Sequence, residues 1–376
     1  MTNSFWETDT LLRKADLVII GSGIVGLSAA LAARRADASL RIVVVERGTL
    51  PSGASTRNAG FACFGSMTEL LADLATRSEN EVFGLVERRY AGLMRLRERV
   101  GDAALGYEQH GGYELFTTND AASFAICSDK IADFNRQLAH ITKVKNTYQI
   151  NAKYLSEFRN IIHSIWNCAE GQIDTGAMMN ALLRQAAAAD IQILNALSVR
   201  EIQEQSDEIT LFFDNEWQLR AAQILVCTNG FTKRLLPNLD VQAARNQVLI
   251  TEPIEGLNLK GCFHYQEGYY YFRNVGNRIL LGGGRNLDYA GEATDEFGQT
   301  EIIQNALLNL LHQTILPNKK VAVAQWWSGI LGIGDSKSPI IERLSPRLSV
   351  AVRMGGMGVA IGALVGEEGA DLALNG

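Results

Sequence analysis

The sequence predicts two structural units: an α/β unit wound strand–helix–strand, and an α+β unit built on an antiparallel sheet. Three observations carry this. The first is a short apolar run, Leu17 to Ile20, that stops at Gly21 and continues as small and aliphatic residues at helical spacing. The second is another β-branched run, Ile42 to Val45, closed by Glu46 twenty residues after Gly26. The third is a set of later runs, Arg245 to Thr251, Tyr269 to Arg273 and Arg278 to Arg285, that alternate with period two across tight connections.

The first stretch reads as a dinucleotide-binding turn. Gly21, Gly23 and Gly26 fit G-x-G-x-x-G. The first glycine permits the strand-to-helix turn, the second lets a pyrophosphate approach the backbone, and the third lets helix and strand pack closely. Ser22, Ile24 and Val25 complete the turn, and the helix N-terminus that follows offers N–H groups and a partial positive charge to phosphates. Glu46 is placed to accept hydrogen bonds from a ribose hydroxyl pair. The ligand is therefore FAD or NAD, with a free 2′-hydroxyl.

A chain of 376 residues exceeds one ordinary core and suggests two domains. A net charge of −6 and the lack of any Lys/Arg run argue against nucleic acid and against an anionic membrane surface. The five cysteines lack C-x-x-C spacing, which suggests a reducing, cytoplasmic setting and no metal site. Met1 to Asp16 shows no apolar signal-peptide core. Three glycines interrupt the longest apolar stretch, Leu17 to Ala33, so no integral membrane segment is expected.

After Glu46 and Arg47 comes a loop by composition, Gly48 to Phe61, then a helix from about Met67. Further helices are expected over Glu79–Arg99, Ala121–His140, from Asp174 or Thr175 to Ala189, and over Glu301–Leu311. Gly106–Thr117 reads as one or two strands, and Thr142–Trp166 has no clear pattern. Strands are expected at Ile191–Leu194 and Ser198–Ile202. Ile209–Phe213 and Trp217–Arg220 form a hairpin around Asp214-Asn215, and Ala222–Cys227 is a buried strand ending at Thr228-Asn229-Gly230. Val350–Val352 is a strand, and Gly355-Gly356-Met357-Gly358-Val359 opens a last helix whose Gly358, Gly362, Gly366 and Ala370 recur every four residues. Mid-helix glycine costs roughly 1 kcal/mol against alanine, so this stripe implies a close backbone neighbour.

Two segments make a specific resemblance. Gly53-Ala54-Ser55-Thr56-Arg57-Asn58-Ala59-Gly60 resembles the G-A-S-x-R-N-x-G loop of the FAD-dependent D-amino-acid-oxidase family, which includes glycine, sarcosine and γ-glutamylputrescine oxidases. Trp327-Ser328-Gly329, followed by Asp335 and Pro339-Ile340-Ile341, resembles that family's W-x-G-…-D-x-x-P-I-I segment. The resemblance implies a glutathione-reductase-like, Rossmann-like FAD domain over 1–90, 170–242 and 325–376, and a substrate domain over 91–169 and 243–324. It implies that Ser55 to Gly60 wrap the pyrophosphate, that the Val199 backbone contacts adenine, and that Thr228 to Gly230 lie near the diphosphate. Gly329 and Gly355 to Val359 would meet the flavin, with the helix start stabilising its reduced, anionic form.

The resemblance also implies an enzyme that moves a hydride from the carbon bearing a neutral amine to flavin N5, the imine then hydrolysing. The substrate is a small amine or amino acid, and dioxygen or another acceptor takes the electrons. Where the amino-acid oxidases carry a carboxylate-binding arginine, this chain has Leu331 and Gly332, which points to amines. Of the strand Tyr269–Arg273, Tyr270 is expected to line the substrate site with Arg285, and His264 and His312 are expected at the surface or in the core. The alternatives are a 2-hydroxy-acid dehydrogenase on the same fold, an NAD-only dehydrogenase and a non-catalytic FAD-binding partner protein.

Overall fold

The computed structural model describes residues 4–376; the first three residues of the N-terminal segment lie outside it. An eight-stranded sheet has the central order Ile340–Ser345, Leu348–Val352, Gln218–Val226, Ala15–Ile20, Ile42–Val45, Gln192–Leu194. The strands from Leu348–Val352 to Gln192–Leu194 run parallel, with Ile20 paired to both Val226 and Val45. β-Branched and aliphatic side chains buried on both faces explain why these runs read as continuous apolar strings. The expected hairpin forms as Ile209–Phe213 against Gln218–Val226, Phe212 opposite Gln218.

Helices Ile24–Ala36, Glu79–Val100 and Gly358–Asn375 pack together on this sheet. The glycine stripe has the expected cause. A β-carbon on Gly366 would stand 2.4 Å from the Val25 carbonyl oxygen, and one on Gly92 would stand 2.4 Å from that of Ala360. Only hydrogen fits between these backbones. Gly358 differs: a β-carbon there would meet nothing closer than 3.7 Å, so the stripe is tight only further along. A capping box between Ser78 and Glu81 starts Glu79–Val100. Asp174, not Thr175, caps Thr175–Ala188 by accepting from Ala177 N at 2.8 Å.

The second sheet has the order Val323–Ile333, Gln242–Thr251, Arg278–Gly283, Tyr270–Val275, Cys262–Tyr265, Gly112–Thr117, Ile161–Asn167, Tyr148–Ile150. All its pairings are antiparallel except Cys262–Tyr265 with Gly112–Thr117. The unpatterned region Thr142–Trp166 thus supplies two strands, its short runs finding partners only in three dimensions. The strand Val323–Ile333 pairs along its length with Gln242–Thr251, so the tail strand that the sequence groups with the first unit hydrogen-bonds in the second sheet. One face of this sheet carries Leu249, Phe263, Tyr270, Phe272 and Leu281 against Ile303 and Leu307 of the helix Glu301–Leu310. The other face looks toward the first sheet. No helix among the described residues is long and apolar enough to cross a membrane.

Candidate functional site

Two adjoining cavities lie between the sheets. The first opens beyond the carboxyl ends of the parallel strands, where Gly21 N donates to Val45 O at 2.8 Å. It is lined by Gly21, Gly23, Ile24, Val25, Glu46, Arg47, Ser55, Asn58, Val199, Thr228, Asn229, Gly230, Gly356, Gly358 and Val359. Two helix N-termini face it. Among the described residues the N–H groups of Gly23, Val25, Gly358 and Val359 have no protein acceptor, while Ile24 N donates to Ser55 Oγ at 2.9 Å. Gly21 holds φ +109°, and a β-carbon on Gly23 would press on Ser55 Oγ at 2.7 Å.

Glu46 is buried with both carboxylate oxygens engaged. Oε2 accepts from Ser22 N and Ser22 Oγ (3.2 and 2.9 Å), and Oε1 accepts from Gly48 N and Ser52 Oγ (both 3.0 Å). The Ser22 and Ser52 hydroxyls are the members that can rotate away for an incoming hydroxyl pair. Ser22 itself lies behind the cavity wall. So does Gly26, where a β-carbon would lie 1.9 Å from the Gly21 carbonyl oxygen: its role is packing. Arg47 lays its guanidinium over the Phe231 ring at 3.5 Å, and burial lowers its pKa.

The loop Ser55 to Gly60 divides the two cavities. Asn58 holds its shape, donating to Ala54 O and Ser55 O and accepting from Gly60 N (2.8 Å) and Thr175 Oγ1 (2.9 Å). Thr56 Oγ1 donates to Pro51 O at 2.8 Å, so Thr56 is structural and faces neither cavity. Gly60 also lines neither; it has φ +72°, and a β-carbon there would meet Ile173 O at 2.4 Å. Arg57 and Ala59 turn to the second cavity, where Arg57 donates to Ser328 O and stacks on Phe297. Asn229 Oδ1 accepts from Met354 N at 3.1 Å, tying the Thr228–Gly230 turn to the tail.

The second cavity shares Ala54, Asn58, Leu331, Gly356 and Val359 with the first. The inward face of the second sheet supplies Gly329, Leu331, Asn246, Val248, His264 and Tyr271, and Gly355, Met357 and Arg285 complete it with the strand–helix segment Phe61 to Glu69. Tyr270 is a correction. Its neighbours Tyr269 and Tyr271 line the cavity, and Tyr270 is packed in the opposite core because alternation turns it to the helix side. His264, expected at the surface or in the core rather than in a catalytic role, is half-buried with one side in the wall of this cavity. Its strand, Cys262–Tyr265, is four residues long and carries no sequence pattern of its own. Arg285 lines this cavity, over the Tyr289 ring at 4.8 Å and without an ion pair among the described residues.

The sequence offers Lys337, like Arg285, as a compensating charge for a substrate carboxylate without a motif to place it, and gives no sign of Glu69 or of their pairing. Lys337 Nζ sits 3.2 Å from Glu69 Oε1 and 2.8 Å from Asp73 Oδ1, and Arg89 adds a contact to Glu69 at 3.1 Å. Burial pushes the Glu69 carboxyl up, but Arg89 and Lys337 outweigh it and hold it down at about 2. Burial draws His264 down to about 4 and pushes Tyr271 up to about 12. Across the neutral range the wall thus holds a carboxylate already paired, a neutral imidazole and a neutral phenol.

A family model described as FAD dependent oxidoreductase, DAO, matches residues 16–372. Glycine oxidase of Geobacillus kaustophilus strain HTA426 is 24% identical over 379 residues, covering 96% of this chain and 93% of that protein. The crystal structure of glycine oxidase from Geobacillus kaustophilus superposes with a TM-score of 0.74 at 21% identity, covering 96% of this chain and 94% of that one. L-proline dehydrogenase from P. horikoshii gives 0.75 at 16% identity, covering 96% and 94%.

Proposed function

Because the chain belongs to the FAD-dependent oxidoreductase family DAO, we propose that it oxidises the C–N bond of a small amine or amino acid to an imine. The observation that carries this reading is the shared wall of Ala54, Asn58, Leu331, Gly356 and Val359, through which a substrate in the second cavity meets a cofactor in the first. The first cavity fits FAD: its unpartnered amides at Gly23, Val25, Gly358 and Val359 are donors awaiting acceptors, and its glycine cradle excludes side chains. In this reading Gly21 to Val25 and Ser55 to Asn58 hold the phosphates, Glu46 the ribose, Val199 the adenine, and Gly329 with Gly355 to Val359 the flavin end. When bound, FAD supplies a two-electron acceptor.

The rest is done by the chain. Phe61, Val248, Tyr271, Leu331 and Met357 form an apolar wall that limits water around the reacting carbon. Asn246, Arg57 and Arg285 are the polar groups that can orient a substrate. Glu69, His264 and Tyr271 each keep one protonation state near neutrality, while burial pushes the Glu170 carboxyl, close behind Cys63 and His264, up to about 7. In this reading the substrate's own amine, arriving neutral, is the group that sets the pH dependence. Comparing two amines of different basicity, the midpoint of the pH–rate profile is expected to move with the amine's pKa. A midpoint that stays put would assign the ionisation to the protein.

The direct test is an anaerobic screen of amines, amino acids and hydroxy acids, followed by loss of flavin absorbance. Primary or secondary amines without an α-carboxylate are expected to bleach the flavin faster than glycine, sarcosine or D-amino acids, because Leu331 and Gly332 provide no fork for a carboxylate and Lys337 is already held by Glu69 and Asp73. Bleaching by hydroxy acids alone, or by none of the three, would overturn the reading. The unpaired Arg285 favours a second reading, a carboxylate-bearing substrate. There the amino acid wins the screen, and Arg285→Ala raises its apparent Kd sharply.

Glu46 gives a separate test of the cofactor site. A glutamine would turn an NH2 group toward the N–H of Ser22 or Gly48, losing an acceptor and crowding two donors. Glu46→Gln is expected to weaken FAD retention by about 1.5–3 kcal/mol, read by equilibrium dialysis. Unchanged FAD affinity would remove Glu46 from the site.

A further inference from the structure

Three segments distant in sequence bring ligating side chains together in the wall of the second cavity. Cys63 follows the strand Phe61–Ala62, Glu170 follows Ile161–Asn167, and His264 lies in Cys262–Tyr265. One ligating atom from each lies within 4.8 Å of the other two. Cys63 and His264 line the cavity, while Glu170, 1% exposed, reaches them from behind. His264 Nε2 is buried and has no hydrogen-bond partner among the described residues. Nothing in the proposed reaction uses this nitrogen, and a buried polar atom without a partner costs free energy that a ligand would recover.

We propose that Cys63, Glu170 and His264 bind one thiophilic divalent cation of the zinc class, with the remaining coordination position open to the cavity. Thiolate, imidazole and carboxylate are the donors zinc takes, and three protein ligands with a free fourth position is the arrangement of its accessible sites. Tetrahedral bonds of about 2.0–2.3 Å place ligand atoms about 3.6 Å apart, so side-chain rotations of about an ångström complete the site. The sulfur and nitrogen donors select against magnesium and calcium, which prefer oxygen ligands. Glu170 is preset for the role: Oε1 accepts from Phe64 N and Gly65 N at 2.8 and 3.2 Å, which fixes the carboxylate's direction. Phe61, edge-on to His264 at 5.3 Å, fixes the imidazole. On binding, the Cys63 thiol releases its proton to solvent as a sulfur lone pair forms the bond to the cation. Glu170 binds as the carboxylate, and no electron changes hands. The two anionic ligands balance the cation's charge inside the wall.

The proposal stands apart from the amine reading, since it needs only the wall and no substrate. Its test is calorimetric titration of the FAD-loaded protein, treated with a chelator and then desalted, with zinc chloride and separately with magnesium chloride. One zinc ion per chain and no magnesium binding are expected, with Cys63→Ser and His264→Gln each weakening zinc by roughly tenfold or more. No zinc binding, or equal binding in both variants, overturns the site. Should either variant fail to fold, the wild-type protein still decides it. Zinc is expected to slow alkylation of Cys63 by iodoacetamide, followed by peptide mass spectrometry, and an unchanged alkylation rate overturns the proposal.

Discussion

Gly26→Ala is expected to leave the protein colourless and much less stable. The added β-carbon would lie 1.9 Å from the Gly21 carbonyl oxygen, 3.1 Å from its carbon and 3.3 Å from Ile19 Cγ2. The first two are backbone atoms of the turn itself, so no side-chain rotation relieves the contact. Either the helix Ile24–Ala36 lifts from the strand Ala15–Ile20, or the turn opens, and both spoil the cavity end where Gly21 and Gly23 sit. The cost is on the order of 3 kcal/mol or more. Gly84→Ala is the control: it lies in the helix Glu79–Val100, lines neither cavity, and its β-carbon would meet nothing within 4 Å, so FAD should be retained. Bound FAD per chain and the thermal midpoint report both effects. A yellow Gly26→Ala protein melting with the wild type would show that the turn tolerates the methyl group.

Arg273→Met is expected to have a comparable effect by a different route. The Arg273 guanidinium is buried and donates to three carbonyls: Ala59 O, Ile173 O at 2.9 Å and Asn274 O at 3.0 Å. It joins the cavity-dividing loop Ser55 to Gly60 to the segment before helix Thr175–Ala188 and to the second sheet. Methionine fills similar volume but leaves the Ala59 and Ile173 carbonyls without a donor, while Asn274 O keeps only Gln172 Nε2 at 3.4 Å. Relief of a buried charge, which burial already disfavours, offsets part of the loss. Hydrogen bonds from a charged donor contribute about 1.5–3 kcal/mol each, so a net destabilisation of about 3–5 kcal/mol is expected. The loop should loosen with it, so FAD should also dissociate faster. Arg273→Lys, which keeps one donor group, should fall between. A thermal midpoint unchanged in Arg273→Met would refute the clamp.

Much of the first cavity was legible because its chemistry is local. A strand, a glycine turn and a helix start within about ten residues carry their geometry in their own sequence. Glu46 follows the next strand at a distance that any strand–helix–strand unit imposes. The loop Ser55 to Gly60 holds its shape largely through Asn58, four of whose bonds stay within the loop or at Thr175. The glycine stripe of the last helix announced a close neighbour, and only packing identified it as Ile24–Ala36.

The second cavity was legible only in outline, for physical reasons. Period-two alternation separated Tyr269, Tyr271 and Arg273 from Tyr270 and Phe272, but a strand does not state which face meets a helix and which meets a cavity. That was decided by the helix Glu301–Leu310 lying on the Tyr270 side. Lys337 meets Glu69 across 268 residues, and Cys63, Glu170 and His264 meet from three separate segments. No spacing encodes such contacts. The sequence by itself determined the nucleotide turn, its acidic partner and the alternation of the second sheet, because each depends on bonds between near neighbours. The tertiary structure alone decided which tyrosine faces the second cavity, how its charges pair and which donors converge in its wall, because those depend on how two sheets close upon each other.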